Sequence, residues 1–171
     1  LFYGRPGTGK TELAKALAHQ GGYDPLLVSC GRDGSPQQRM VAMTAALSMA
    51  SERTLLILDE CDTLLNSLGG FLKPTVDKGW VNHFLDTCPN KVIWITNDVG
   101  NIPASVLRRF AYSLPFDKFT IDQRRCTWEE QLRQRKMRPW LTDSAVKRLS
   151  RNYQTDAGAI ASAVNVTRNL Y

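Results

Sequence analysis

Short apolar runs alternate with longer segments of helical periodicity over the first two thirds of the chain. The runs rich in β-branched and aliphatic residues predict strands at 1–3, 26–30, 54–58, 91–96 and 111–116. The segments between them predict helices near residues 10–20, 36–51, 60–67, 77–88 and 103–108. This alternation is typical of an α/β fold in which a parallel sheet carries helices on both faces.

The pattern changes after Pro115, where only helical segments follow, at 120–136, 142–152 and about 156–170. Thr142, and either Thr155 or Asp156, have the residue types that cap helix N-termini, and Pro139 separates the first segment from the second. We therefore predict an α/β core at 1–117 and a small all-helical domain at 118–171. The first strand holds only three residues although a central position is expected for it, so we expect further sequence upstream.

The composition of the 171 residues, with 43% hydrophobic and 22% charged side chains, is that of a globular protein. No apolar run approaches the ~18 residues that span a bilayer, so we expect no membrane insertion and no secretion. The four cysteines form no CxxC pair, and His19 and His83 are isolated. This pattern favours reduced thiols in an intracellular, cytoplasmic protein without a zinc site.

The net charge of +6 is unevenly distributed. Residues 1–117 hold eleven basic and eleven acidic side chains, whereas 118–138 hold seven basic and three acidic ones, a surplus of 7 − 3 = +4. Such a basic segment could contact phosphates or an acidic partner. It could equally be a solvated helix face, since Glu129 and Arg133 are spaced for an i,i+4 ion pair.

The segment from Gly4 to Thr11, GRPGTGKT, fits the phosphate-loop pattern G-x-x-x-x-G-K-[ST] between a predicted strand and a predicted helix. Its glycines allow main-chain N–H groups to point inward at an anion, and the helix N-terminus adds a positive dipole end. Lys10 is expected to bridge the β- and γ-phosphates of a nucleotide, and the Thr11 hydroxyl to ligate Mg²⁺. The candidate nucleotide-binding residues are Gly4, Pro6, Gly7, Thr8, Gly9, Lys10, Thr11 and Glu12.

Polar side chains follow two of the predicted strands. Asp59 and Glu60 end the run LLIL, and Asn97 ends the run VIWIT. Because parallel strands present their carboxyl ends at one edge, these groups should face the phosphate loop. We predict that Asp59 holds Mg²⁺, that Glu60 polarises the attacking water, and that Asn97 hydrogen-bonds that water or the γ-phosphate.

Two adjacent arginines, Arg108 and Arg109, precede the last predicted strand. A guanidinium group has the fixed charge and geometry that stabilise a phosphoryl transition state. Nothing in the local sequence brings these arginines to the phosphate loop of their own chain. A neighbouring subunit's site is therefore the better target, although a surface arginine pair would look the same.

The order of these motifs resembles that of the AAA+ ATPases. GRPGTGKT is similar to their Walker A loop, LLILDE to Walker B, WITN to the sensor-1 strand, and NIPASVLRRF to the arginine-finger segment. The resemblance implies a five-stranded sheet in the order 5-1-4-3-2, ATP bound between subunits of a homo-oligomeric ring, usually a hexamer, and a helical lid. It implies Mg²⁺ as cofactor, and it assigns the finger to Arg109, with Arg108 as the second candidate.

Two features depart from the AAA+ pattern. Residues 31–40, GRDGSPQQRM, contain no aromatic side chain where substrate-threading members carry one, although Phe71 could substitute. Ile160 stands where many subfamilies have a sensor-2 arginine, which fits the AAA clade better than the clamp-loader or initiator clades.

The resemblance implies an ATPase that drives remodelling of a partner protein or adaptor, which the sequence does not identify. Two alternatives stay open: a nucleic-acid-associated ATPase that uses the basic segment, and a slow nucleotide-dependent switch. A small-molecule kinase is disfavoured, because it would not require Glu60, Asn97 and Arg109 in this order.

Overall fold

The structure is a computed structural model that describes residues 1–28, 35–65 and 78–170. Its strands are β1 (Phe2–Gly4), β2 (Asp24–Val28), β3 (Thr54–Leu58), β4 (Lys91–Thr96) and β5 (Leu114–Phe116). Helices α1 (Lys10–Gln20), α2 (Pro36–Met49), α3 (Asp62–Leu65), α4 (Lys78–Thr87) and α5 (Ala104–Leu107) lie between the strands. Helices α6 (Ile121–Gln134), α7 (Asp143–Asn152) and α8 (Ala157–Leu170) follow, with a 3-10 turn at Arg138–Trp140.

The described strands form one parallel sheet in the order β2-β3-β4-β1-β5. Read from the other edge, this is the predicted order 5-1-4-3-2, so the predicted fold class is confirmed. Strand β1 lies between β4 and β5, with Phe2 opposite both Ile95 and Leu114. The loop that follows β1 therefore leaves from the interior of the sheet.

Alternation along β3 supplies both faces of the sheet with core residues. Leu55 and Ile57 pack with Ala14 and Ala18 of α1 on one face. Leu58 packs on the other face in a cluster that includes Trp94 and side chains of α2 to α5. All of β3 is buried, as expected for a strand with helices on both sides. Trp94 is fully buried in this cluster.

Several predicted boundaries differ from those observed. Strand β2 begins at Asp24 rather than at 26 and includes Pro25, while residues 29–30 of the predicted strand lie outside the described residues. An edge strand tolerates proline because one of its sides has no ladder to complete. Strand β5 begins at Leu114 rather than at 111, and Leu114 is its first residue paired with β1. The predicted helix 60–67 is observed only as Asp62–Leu65, and residues 66–67 and Phe71 lie outside the described residues.

The described chain divides into two compact units, Leu1–Gly4 with Lys10–Phe116, and Arg5–Gly9 with Asp117–Tyr171. The second unit is helical, and its core joins side chains from α6, α7 and α8 around Leu132, Val146 and Ile160. Thr142 caps α7 as predicted, accepting a hydrogen bond from the Ala145 N–H.

Many basic side chains of 118–138 are engaged within the second unit. Arg133 pairs with Glu130, not with Glu129 as expected, and Arg138 pairs with Asp143. Arg124 is buried and donates its Nε–H to the Ser150 carbonyl at 2.8 Å. These contacts favour a structural use of the basic segment over a phosphate-binding one.

The remaining sequence expectations concern thiols and membranes. Cys61, Cys88 and Cys126 are free, and Cys30 lies outside the described residues. Burial raises the pKa of the Cys61 thiol far above its usual value. None of the described helices has the length and apolar character needed to cross a bilayer.

Gly4 ends β1 with φ +135°, and a Cβ placed there would lie 2.3 Å from the Phe116 carbonyl oxygen. We expect Gly4→Ala to lower the free energy of unfolding by about 3 kcal/mol, from backbone strain and overpacking together. Gly22→Ala is the control, because Gly22 also has positive φ but open space around it. The control should cost about 1 kcal/mol. Equal losses in urea unfolding would contradict a steric role for Phe116.

Candidate nucleotide-binding and hydrolysis site

Lys10, the first residue of α1, lies at the carboxyl edge of the sheet. Its side chain is buried, and its Nζ donates to the Gly4 carbonyl at 2.6 Å and to Asn97 Oδ1 at 3.0 Å. Burial lowers the pKa of Lys10, while the negative charges of Asp59 and Asp62 oppose that change. The ammonium group is therefore held between β1 and β4 with little water around it, where it would attract an anion strongly.

Thr11 and Asp59 meet next to this lysine. The Thr11 hydroxyl donates to Asp59 Oδ2 at 2.7 Å, which joins the start of α1 to the end of β3. A hydroxyl and a carboxylate are the oxygen ligands that Mg²⁺ prefers. The residues present therefore fit a magnesium ion, and Thr11 and Asp59 would hold it. Among the described residues, no cluster of His, Cys, Asp and Glu suggests any other metal.

Glu60 has a left-handed main chain, with φ +54°. This conformation costs a non-glycine residue of order 1 kcal/mol or more and persists only where the surroundings impose it. The Glu60 N–H donates to Asp59 Oδ1 at 2.8 Å, and its carbonyl accepts from Arg39 at 2.7 Å. The side chain is half-buried, and no hydrogen bond to its carboxylate is found in the described ranges. It can therefore accept one from a water molecule.

Asp62, which the sequence interpretation did not single out, fastens the end of β4. Its Oδ1 accepts hydrogen bonds from the Thr96 hydroxyl at 2.8 Å, from the Asn97 N–H at 2.9 Å and from the Asp98 N–H at 3.1 Å. The carboxylate thus orients Asn97, whose side chain in turn accepts from Lys10. In the sequence, the only indication of this role for Asp62 is its place at the end of the acidic run DECD, residues 59–62.

Residues 5–9 of the phosphate loop have contacts of their own in the second unit. The Thr8 hydroxyl donates to the Arg5 carbonyl at 2.8 Å, and the Gly158 N–H donates to the Gly7 carbonyl at 3.2 Å. A Cβ on Gly7 would lie 2.6 Å from the carboxyl group of Asp156. Asp156 also caps α8 through the Ala159 N–H, so a glycine is needed at this point of the loop.

The other predicted binding residues contribute less through their side chains. Pro6 is exposed, and Gly9 has the positive φ of +90° that glycine tolerates. The Glu12 side chain is 78% exposed and pairs with Lys15. Glu12 would therefore offer a phosphate its main-chain N–H, as one of the donors at this helix start, and not its side chain.

The two arginines have different surroundings. Arg109 donates Nε to Asp86 of α4 at 3.0 Å and a terminal N–H to the Ser105 carbonyl at 2.8 Å. Arg108 is exposed. The sequence interpretation preferred Arg109 as the finger, whereas these contacts leave Arg108 the more accessible guanidinium group.

A phosphate loop between a strand and a helix, with an acidic residue at the end of another strand of the same parallel sheet, defines a P-loop nucleotide-binding protein. The model of the AAA family, ATPases associated with various cellular activities, matches residues 1–118. The chain belongs to this family. The family resemblance drawn from the motifs is confirmed, and membership implies ATP binding and ATPase activity.

Two curated relatives and one solved structure illustrate the similarity. Lon protease 1 of Bdellovibrio bacteriovorus is 29% identical over 92% of this chain and 24% of its own length. A Bifidobacterium animalis protein described as an AAA ATPase forming ring-shaped complexes is 30% identical over 63% of this chain and 25% of its own length. The FIGL-1 AAA domain in complex with ADP superimposes with a TM-score of 0.72 at 18% identity, covering 98% of this chain and 59% of that one. The chain thus spans about a quarter of the length of these curated relatives.

Proposed function

We propose that this chain binds ATP with Mg²⁺ at the edge formed by β1, β3 and β4 and hydrolyses it to ADP and phosphate. The observation that carries the proposal is the meeting of Lys10 with Asn97 at 3.0 Å and of Thr11 with Asp59 at 2.7 Å. Lys10 binds the β- and γ-phosphates, and Asn97 and Glu60 orient the attacking water. A magnesium ion held by Thr11 and Asp59 would neutralise phosphate charge at this edge of the sheet.

We further propose that hydrolysis takes place between subunits of a homo-oligomeric ring and drives remodelling of a partner protein. The exposed Arg108 supports action on a neighbouring site, and a relative is described as forming rings. The nucleic-acid alternative receives less support, because Arg124, Arg133 and Arg138 are engaged within their own unit.

Binding of ATP and its dependence on Lys10 test this function. We expect Lys10→Ala to weaken ATP affinity roughly 10- to 100-fold, because charge-assisted hydrogen bonds to phosphate are lost. Isothermal titration calorimetry with ATP and Mg²⁺ measures the change. Lys15→Ala, on the same helix but paired with Glu12 at the surface, should leave the affinity unchanged. Equal affinities for the parent and Lys10→Ala would contradict the site.

A further inference from the structure

A buried guanidinium group lies under the turn that follows β3. Arg39 is only 4% exposed, although it stands in the first turn of α2. It donates an Nη1–H to the main-chain carbonyl of Glu60 at 2.7 Å. Burying a charged side chain is costly unless it gains specific hydrogen bonds, so this contact ties α2 firmly to the turn.

The contact acts on a residue whose main chain is strained. Glu60 has φ +54°, a conformation that favours glycine. Both of its neighbouring peptide groups are held, since its N–H donates to Asp59 Oδ1 and the Cys61 N–H donates to the Ile95 carbonyl at 2.9 Å. Arg39 adds the bond to the Glu60 carbonyl, which lies between these two. Together these bonds direct the Glu60 side chain.

The position of Arg39 is set by the start of α2. Ser35 and Gln38 form a capping box, in which the Ser35 hydroxyl accepts from the Gln38 N–H at 3.2 Å and the Gln38 side chain accepts from the Ser35 N–H at 2.9 Å. The Arg39 N–H in turn donates to the Ser35 carbonyl. Because the start of α2 is fixed in this way, the Arg39 side chain keeps its position beside the turn that follows β3.

We propose that Arg39 is a positioning residue for Glu60, which it orients through the main chain. Hydrolysis then depends on the position of the α2 N-terminus, because a shift of that end of the helix would withdraw the guanidinium group from the Glu60 carbonyl. This inference rests on the proposed role of Glu60 in hydrolysis. Arg39 itself is not expected to contact the nucleotide.

Arg39→Met tests the inference, because it keeps an unbranched apolar stem and removes the donors. We expect kcat for ATP hydrolysis to fall roughly 10- to 100-fold, the usual effect of losing a group that orients a catalytic residue. The Kd for ATP should stay within about threefold of the parent value. Arg39→Lys, which keeps a charge and a donor, should recover part of kcat. A fall in kcat accompanied by an equal loss of affinity, or an unchanged kcat, would overturn the inference.

Two comparisons separate positioning from general destabilisation. Arg124→Met loses another buried guanidinium–carbonyl bond, in the second unit, and should lower the melting temperature while keeping kcat within about threefold. In a Glu60→Gln background, Arg39→Met should cause little further loss, since it acts through Glu60. Full additivity of the two losses would contradict the proposal.

An NMR measurement distinguishes failure of this inference from failure of the proposed function. The one-bond coupling between Cα and Hα of Glu60 reports the sign of φ without any need for hydrolysis. It should move towards values for negative φ in Arg39→Met and remain unchanged in Arg124→Met. If the parent protein does not hydrolyse ATP, the ATPase proposal fails, and an unchanged Glu60 coupling would overturn the positioning role separately.

Discussion

Glu60→Gln is expected to bind ATP with about the affinity of the parent and to hydrolyse it roughly 10²–10⁴-fold more slowly, the usual contribution of a positioned general base. The amide keeps the size of the side chain but does not accept a proton from the attacking water. Lys10, Thr11 and Asp59, which we assign to phosphate and magnesium, are untouched. The slow step is therefore hydrolysis and not binding.

Single-turnover release of phosphate, combined with a separate measurement of the Kd for ATP, tests this expectation. Glu52→Gln is the matched control, because Glu52 is an exposed glutamate in the turn before β3. Its turnover should equal that of the parent. Near-normal hydrolysis by Glu60→Gln would mean that Glu60 does not activate the attacking water. Loss of ATP binding would mean that its carboxylate is needed for nucleotide binding.

The parts of this site that sequence reasoning identified are those carried by contiguous residues. Lys10 and Thr11 are the last two residues of the phosphate-loop pattern, and Asp59 and Glu60 directly follow a buried strand. Since parallel strands end at a common edge, the meeting of Thr11 with Asp59 follows from the order of the elements. The confirmed strand order rests on the same logic.

Asp62 and Arg39 were missed because their importance lies in contacts between distant segments. Asp62 contacts Thr96, 34 residues away, and Arg39 contacts Glu60 at a separation of 21 residues. An aspartate at a helix start, or an arginine in a first turn, is ordinary in a sequence. Only the packing of α2 beneath the β3 turn makes the arginine part of the site.

The strand boundaries illustrate a second limit. Pro25 argues against a strand on local propensity, yet it pairs with Leu55 because β2 lies at the edge of the sheet. The place of β2 in the sheet, which local patterns do not reveal, decides this boundary.

Arg108→Ala is expected to slow hydrolysis roughly 10³–10⁵-fold, the contribution of an arginine supplied to a phosphoryl transition state. Arg108 is exposed and free to reach a neighbouring subunit, whereas Arg109 is engaged by Asp86 and the Ser105 carbonyl. Arg109→Ala should therefore cost at most about 1 kcal/mol of stability, as for other surface ion pairs, and retain most activity. Steady-state hydrolysis and melting temperatures of the two variants distinguish these roles. If only Arg109→Ala abolishes hydrolysis, Arg109 is the finger.

Mixing two inactive variants tests whether the arginine acts between subunits. A Glu60→Gln subunit still offers Arg108, and an Arg108→Ala subunit still offers Glu60. In an equimolar mixture that exchanges randomly, about a quarter of the interfaces in a ring join an intact Glu60 to an intact Arg108. Activity should therefore reappear on mixing, and the activity of the parent should rise more than linearly with protein concentration. Only an interface between the two kinds of subunit combines an intact Glu60 with an intact Arg108. A mixture no more active than its two components would therefore mean that each chain supplies both groups to its own site.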